Sequence, residues 1–297
     1  MNMELPRIPI GDGVKLALDW FRTTFDWLLD FFTLVFKGAA QGLADGLLFV
    51  PYPLMILVFA LLAWTLRSWR LAIGIALGFL LVASMGFWES AMQTLSLVVI
   101  ATLVSVLLAI PLGIWAARND RVSAVLRPIL DFMQTMPAFV WLIPAVLFFN
   151  LGYAPGVFAT VLFAMPPGVR FTELGIRGVD AETVEAGYAF GATPGQILRG
   201  VQLPLAIPTI MAGINQVIML SLSMVVLAGF VGAEGLGKDV VMAVQTQRLP
   251  QGVEAGLSIV VIAIFLDRLT AALGDPGSHR QSLLSLARSR RKAAGRA

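Results

Sequence analysis

Long stretches of the chain carry no charged side chain. They cover residues 46–66, 71–88, 90–117, 132–169, 200–233 and 255–266. A helix needs about 20 apolar residues to cross a bilayer, so the window at 132–169 is long enough for two helices, divided by the turn signals of residues 150–156. The pattern predicts seven transmembrane helices, at about residues 47–66, 69–87, 90–117, 134–151, 154–170, 205–230 and 255–273.

The segment before the first of these spans has a different pattern. Polar and charged residues recur every three or four positions from Lys15 to Lys37, and apolar residues from Leu18 to Val35 occupy the other face. This spacing predicts an amphipathic helix that lies on the outer membrane surface, within an external segment at 1–46. An eighth span is the alternative, but it would place several charges inside the membrane.

The basic residues between spans are unevenly distributed. Fifteen Lys and Arg fall on one side of the predicted membrane, and six fall on the other: Arg7, Lys15, Arg22, Lys37, Lys238 and Arg248. Because Lys and Arg in short loops stay in the cytoplasm, the N-terminus is expected outside and the C-terminus inside. Residues 275–297 then form a basic cytoplasmic tail.

The composition supports a membrane protein and excludes most enzyme chemistry. The 297 residues are 58% hydrophobic and only 13% charged, with a mean hydropathy of +0.84, which a soluble globular protein does not have. The chain has no Cys and a single His, His279, so disulfides, thiolate catalysis and a Ser-His-Asp triad in the membrane are excluded. The scattered basic residues do not indicate nucleic-acid binding. The expected fold class is an all-α polytopic membrane protein.

The loop at 172–207 carries signals for two short helices. Asp180 is placed to cap a helix that runs to Phe190, and Gly191 is placed to end it. Thr193–Gln196 then supplies an N-cap, a proline at the first helical position and a capping-box Gln. Four apolar side chains would give this turn a ridge that needs a partner: Tyr188, Phe190, Ile197 and Leu198.

The source of energy is not visible in this chain. Segment 232–239 is one residue short of a phosphate-binding loop, but Asp239 replaces the required hydroxyl and the segment follows a membrane helix rather than a strand. The central parts of the spans contain no ionisable residue that could couple transport to an ion. Neither an ATP site nor an ion-coupling site is therefore visible in this chain. Five residues are candidates either to line a translocation pathway or to bond neighbouring helices: Asn215, Gln216, Ser221, Ser223 and Met224.

The loop also carries a motif. It resembles the EAA signature of permease subunits of binding-protein-dependent ABC importers and reads Glu185-Ala186-Gly187-x3-Gly191-x9-Val201-Gln202-Leu203-Pro204. It departs from the signature at two positions, with Gly187 in place of Ala and Val201 in place of Ile. The segments 134–144, 204–216 and 266–270 are similar to the glycine betaine/proline and choline branch. The resemblance covers about residues 88–274.

The resemblance implies a MetI-like permease core of five helices at 88–274, preceded by two accessory spans at 47–87. In such importers the loop at 172–207 docks on a separate ATPase, and the matching coupling residues are Glu185, Ala186, Gly187, Tyr188, Gly191, Ile197, Leu203 and Pro204. The implied partners are a second copy of the permease, two ATPase subunits that bind ATP and Mg²⁺, and an external solute-binding protein. No cofactor or metal is expected in this chain.

The same resemblance implies a place in the bacterial cytoplasmic membrane and a solute such as glycine betaine, proline betaine, choline or a related quaternary ammonium compound. Aromatic faces can recognise quaternary ammonium groups, but Phe139 and Trp141 are interpreted as packing residues, because the resemblance assigns solute capture to the binding protein. A secondary transporter or channel and an integral-membrane lipid-modifying enzyme remain as alternatives.

Overall fold

The computed structural model describes residues 9–274, which form helices and turns without a strand. The helices are α1 (Ile10–Thr24), α2 (Asp26–Phe49), α3 (Tyr52–Leu66), α4 (Trp69–Ser84), α5 (Trp88–Arg118), α6 (Asp120–Thr135), α7 (Leu142–Phe149), α8 (Tyr153–Arg177), α9 (Ala181–Ala189), α10 (Pro194–Ile197), α11 (Leu203–Phe230), α12 (Leu236–Gln245) and α13 (Leu249–Gly274). A 3₁₀ turn precedes α7 at Ala138–Trp141, and a π turn joins α10 to α11 at Leu198–Gln202. The predicted all-α fold class is confirmed, and the predicted tail at 275–297 lies outside the described residues.

The centre of the bundle is formed by α5, α8 and α11. Small residues let these helices approach closely, as they do in other membrane bundles. A Cβ atom added at Gly168 of α8 would lie 2.8 Å from the Cβ of Ala109 on α5, and one added at Gly213 of α11 would lie 2.5 Å from the Cβ of Phe171 on α8. Larger side chains at these glycines would push the three central helices apart.

The seven predicted spans correspond to α3, α4, α5, α7, α8, α11 and α13, but they are not equally long. Within the described residues, three helices are long and apolar enough to cross a membrane: Trp88–Arg118, Pro194–Phe230 and Leu249–Ala272. Two further pairs qualify only when each is taken together, α2 with α3 and α6 with Ala138–Phe149, and they are bent by 105° and 104°. Counting each bent pair as one span gives up to five.

The helix predicted at 134–151 is wrong as a single span. The chain breaks after Thr135, where Met136 is extended with φ −67° and ψ 132°. Pro137 explains the break, since its ring disfavours the helical conformation of the residue before it. The helical segment before the break is α6, which begins at Asp120 and is capped by Asn119, whose side chain accepts the backbone N–H of Arg121 at 3.0 Å.

Helix α8 was predicted to end near residue 170 but continues to Arg177. The added turns carry charges that are paired within α8 and with α6. The buried Glu173 carboxylate accepts the hydroxyl of Ser123 at 2.7 Å and pairs with Arg177 at 3.0 Å. Arg177 also pairs with Asp120 at 2.8 Å, and Arg170 pairs with Asp131.

This network braces three helices at the end of the bundle from which the loop 172–207 projects. Besides its ion pairs, Arg177 donates to the carbonyl of Ala116 on α5 at 2.8 Å. The Glu173 side chain is 11% exposed and that of Arg177 is 35% exposed, so breaking their pair costs less than the roughly 3–5 kcal/mol of a fully buried pair. This network was not predicted, because its members come from three helices and are up to 61 residues apart in the chain.

The predicted amphipathic helix at the N-terminus is two helices rather than one. The break is at Phe25, whose φ of −114° and ψ of 26° fall outside the helical range. Helix α2 then packs along the core, where the carbonyl of Ala40 accepts the hydroxyl of Ser96 at 2.5 Å. Trp20 and Trp27 are exposed, and the external location of the segment stays a prediction.

Helices α3 and α4 attach to the core through α13. Three buried rings meet there: the ring centroid of Phe59 lies 4.8 Å from that of Phe79 and 5.0 Å from that of Phe265. Such aromatic contacts stabilise packing beyond the area that they bury. The two accessory helices therefore lie against the last helix of the core.

Candidate coupling surface and solute pathway

The loop at 172–207 folds into a knuckle of two short helices, α9 and α10. The side chain of Asp180 accepts the backbone N–H of Thr183 at 3.2 Å and so caps the start of α9. At the other end Gly191 has a φ of +80°, a conformation that glycine adopts without strain. The N–H of Gly191 bonds the carbonyl of Tyr188, and the N–H of Ala192 bonds that of Gly187, which together form a Schellman motif.

The capping box predicted for the second helix is also present. The N–H of Thr193 donates to the side-chain oxygen of Gln196 at 2.7 Å, and the N–H of Gln196 donates to the hydroxyl of Thr193 at 3.4 Å. Reciprocal capping satisfies backbone donors that a short helix would otherwise leave free. Both ends of the turn between the helices are thus fixed by hydrogen bonds.

Gly187 explains how closely the two helices approach. The Cδ1 atom of Ile197 occupies the space where a side chain at residue 187 would begin. Ile197 itself is 1% exposed. Glycine at position 187, where the signature has alanine, therefore leaves room for the Ile197 side chain, which packs α10 against α9. The sequence analysis identified both residues but not their contact.

The exposed apolar surface of the knuckle is smaller than predicted. Phe190 is 93% exposed and Tyr188 is also exposed, and we call these two side chains the docking ridge. Ile197 and Leu198 were expected to share this surface, but both are buried: Leu198 packs in a cluster with Ile176 of α8. Leu198 begins the π turn and packs toward the bundle, whereas Ile197 of α10 packs under α9 against Gly187.

The remaining motif residues lie on either side of the docking ridge. Glu185 and Ala186 are exposed on α9. Leu203 and Pro204 begin α11, where the N–H of Leu203 bonds the carbonyl of Leu198 five residues back. Because Pro204 has no N–H, the next backbone bond is missing, and the π turn ends there. The segment Pro194–Phe230 is nonetheless one continuous helix of 37 residues.

The five candidate pathway residues do not all reach an open surface. The amide of Asn215 donates to Asp267 at 3.2 Å and its oxygen accepts the hydroxyl of Thr270 at 3.1 Å, so this side chain joins α11 to α13. Ser221 and Met224 are buried within the bundle. For Asn215, the structure matches the alternative of a bond between helices.

Gln216 and Ser223 are exposed and lie on one face of α11. With three further exposed residues of that helix they form what we call the α11 stripe: Ala212, Gln216, Met219, Ser223 and Phe230. The spacing of four, three, four and seven residues keeps all five on one side of the helix. The stripe runs from near the knuckle to the far end of α11.

The segment that resembles a phosphate-binding loop has a structural role at that far end. Lys238 pairs with Glu234 at 2.8 Å, and the N–H of Leu236 donates to the hydroxyl of Thr94 at 2.8 Å. Gly235 has a φ of +116° and lies against Thr94, so it has no room for a side chain. The segment leads directly into α12, which begins at Leu236.

Comparisons with known proteins agree with this architecture. The chain is 48% identical over 267 residues to the glycine betaine transport system permease protein OpuAB of Bacillus subtilis (strain 168), which covers 90% of this chain and 95% of OpuAB. It is 44% identical over 268 residues to the glycine betaine/proline betaine transport system permease protein ProW of Escherichia coli (strain K12), which covers 88% of this chain and 76% of ProW.

A solved structure shares the fold. An inward-facing form of the MetNI methionine ABC transporter matches with a TM-score of 0.55 and 20% identity, over 64% of this chain and 93% of that one. At this identity the likeness concerns the fold alone, and it supports the predicted MetI-like core.

A family match decides between the functions left open by the sequence. Residues 109–275 match the family described as "Binding-protein-dependent transport system inner membrane component". The match supports neither a secondary transporter or channel nor a lipid-modifying enzyme. The chain therefore belongs to the family of binding-protein-dependent transport system inner membrane components, and it is a membrane-embedded transport subunit rather than an enzyme.

Proposed function

We propose that this chain is the permease subunit of an ATP-driven importer for glycine betaine, proline betaine, choline or a related quaternary ammonium solute. The relatives OpuAB and ProW, whose names give glycine betaine and proline betaine as solutes, support this solute class. Two copies of the permease form the pathway, two separate ATPase subunits bind ATP and Mg²⁺, and a solute-binding protein delivers the solute from outside.

The observation that carries this proposal is the docking ridge. A phenylalanine that is 93% exposed on a rigid turn, beside an exposed Tyr188, is an apolar surface suited to a protein partner. The ATPase is the occupant, because the loop that bears the ridge matches the coupling signature by sequence. Glu185 and Gly191 contribute by orienting the loop and by making the turn.

Coupling follows from the continuity of the chain beyond the ridge. The knuckle leads through the π turn into the 37-residue helix Pro194–Phe230 without a break. An ATPase that closes on ATP and holds the ridge differently in its two states will favour one arrangement of this helix over the other. This is a population shift driven by differential binding.

The proposed orientation can be tested with single cysteines, because the chain has none. Cysteines at Ala192, in the knuckle, and at Gly252, near the start of α13, are expected to react with an impermeant maleimide from opposite sides of intact cells. Gly252 should label from outside, and Ala192 only after the cells are opened. Labelling of both positions from outside would contradict the orientation and the coupling role with it.

Energy coupling is tested by reconstitution. The permease, its ATPase and its binding protein are placed in lipid vesicles with radiolabelled glycine betaine. Uptake should require ATP and binding protein and should persist when ionophores collapse the proton and sodium gradients, because the three helices that are individually long and apolar enough to cross a membrane carry no charged residue in their central parts. If an ionophore abolishes uptake while ATP is maintained, the proposed energy source is wrong.

A further inference from the structure

Two aromatic rings stand at the far end of the α11 stripe. Phe230 is the last residue of α11, and Phe139 lies in the 3₁₀ turn before α7. Their ring centroids are 5.9 Å apart and their planes meet at 76°, an edge-to-face arrangement. Although the rings touch each other, Phe139 remains 55% exposed and Phe230 50% exposed.

The surrounding structure holds this aromatic pair in place. The 3₁₀ turn that carries Phe139 follows the break at Pro137 and is tied back to α6 by Trp141, whose indole N–H donates to the carbonyl of Met133 at 3.4 Å. Chain neighbours of the pair belong to a cluster of buried side chains, formed by Leu142, Ala145, Ala159, Met224 and Val231, against which Ala138 also packs. Phe139 packs against Phe230, as expected of a packing residue, and about half of each ring is left exposed.

The polar members of the α11 stripe indicate what this face meets. Gln216 and Ser223 are exposed in the middle of a helix that is long and apolar enough to cross a membrane. An amide turned toward lipid hydrocarbon would have no hydrogen-bond partner and would be costly. This face of α11 is thus suited to a watery pathway rather than to lipid, and the aromatic pair lies where the pathway begins.

We propose that Phe139 and Phe230 form a cation–π subsite for the quaternary ammonium head of the solute as it enters the pathway. This inference rests on the proposed function. A trimethylammonium group has no N–H to donate, so it is recognised through aromatic faces. The five residues of the stripe carry no charge that could attract the trimethylammonium group. The rings of Phe139 and Phe230 provide the aromatic surface at the end of this stripe.

The strength of such a contact suits a transport pathway. A cation over an aromatic ring gains a factor of about 2 to 30 in binding, which is enough to select the head group and too little to trap it. Conduction needs sites that a solute can leave as well as enter. Beyond the pair, Gln216 offers an amide N–H to the carboxylate of a betaine, whereas the Ser223 hydroxyl already donates to the carbonyl of Met219 at 3.0 Å.

The test weakens the negative potential on the ring faces without changing the shape of the rings. Phenylalanine analogues with one, two and three fluorine atoms are placed at Phe139 and Phe230 of the full permease, and ATP-driven uptake of glycine betaine is measured in vesicles with the ATPase and binding protein. Fluorination weakens the negative ring face on which cation–π attraction depends. Uptake at low solute should fall stepwise, by about threefold to tenfold overall, while the ATPase remains bound.

Natural substitutions and a matched control complete the experiment. Phe139→Leu and Phe230→Leu should lower uptake as far as full fluorination does, and Phe230→Trp should preserve it. The control is Phe31→Leu on α2, because Phe31 is also 55% exposed and also contacts a neighbouring ring. This variant should transport like the wild type.

Contrary outcomes are distinct. Uptake that is insensitive to fluorination, or equal losses with Leu and Trp, would show that the rings serve packing, against lipid or a second copy, and would overturn the subsite while leaving the proposed function intact. Failure of the wild type itself to import any quaternary ammonium solute with ATP would overturn the proposed function and this inference together. Because the fluorinated rings keep their shape, misfolding does not obscure the result.

Discussion

Replacing Phe190 with aspartate is expected to reduce ATP-driven uptake at least tenfold while the permease remains folded in the membrane. The side chain is 93% exposed, so the fold of this chain does not depend on it. Burying a phenylalanine in a partner is worth about 1.5–3 kcal/mol, or roughly a factor of 10 to 100 in affinity, and aspartate would add a buried charge. The measurement is recovery of the ATPase on the tagged permease, together with uptake in vesicles.

Phe49 provides the control for this substitution. It is 89% exposed at the end of α2, so it matches Phe190 in residue type and exposure but lies outside the knuckle. Phe49→Asp should retain the ATPase at wild-type levels. If Phe190→Asp also retains the ATPase and transports normally, the docking ridge is not the coupling surface.

Replacing Gly187 with leucine should disturb the packing inside the knuckle and so weaken the coupling of the ATPase to uptake. The new side chain would occupy the space of the Ile197 Cδ1 atom, and α9 and α10 could no longer pack as they do. Overpacking of this kind costs about 1–3 kcal/mol, which is large for two helices of nine and four residues. We expect uptake to fall about tenfold or more, with weaker ATPase recovery, because the docking ridge is displaced.

A compensating change separates this effect from others. Ile197→Ala in the Gly187→Leu background removes the clashing atoms and should restore part of the uptake, whereas Ile197→Ala alone should leave a cavity and reduce it. Gly38→Leu on α2 is the control, because a side chain there meets open space. Equal loss in the single and double variants would show that the Gly187–Ile197 contact does not hold the ridge.

The features that could be predicted from sequence depend on neighbours in the chain. The caps at Asp180 and Thr193 and the turn at Gly191 were predicted at the positions where the structure has them. Each depends on a hydrogen bond or a φ angle within a few residues. The all-α class was predicted from the long runs of apolar residues, since a segment that crosses lipid satisfies its backbone hydrogen bonds by forming a helix.

The features that were missed depend on contacts between distant segments. The pairing of Glu173 with Ser123 joins helices 50 residues apart, and Phe139 meets Phe230 across 91 positions of the sequence. The pattern gave Ile197 and Leu198 the same apolar character as Phe190, so it could not distinguish the two buried residues from the exposed one. The burial of Ile197 against Gly187 and of Leu198 against α8 depends on tertiary contacts that the pattern does not contain.

The continuous helix from Pro194 to Phe230 converts a small tilt at one end into a large displacement at the other. At 1.5 Å per residue, its 37 residues span about 55 Å. A tilt of about 10° around its lower end would carry its upper end sideways by about 10 Å, which is comparable to the diameter of a helix. In the proposed mechanism, a small angular displacement imposed by the ATPase would move the end of the helix at Phe230 by this distance without an internal hinge.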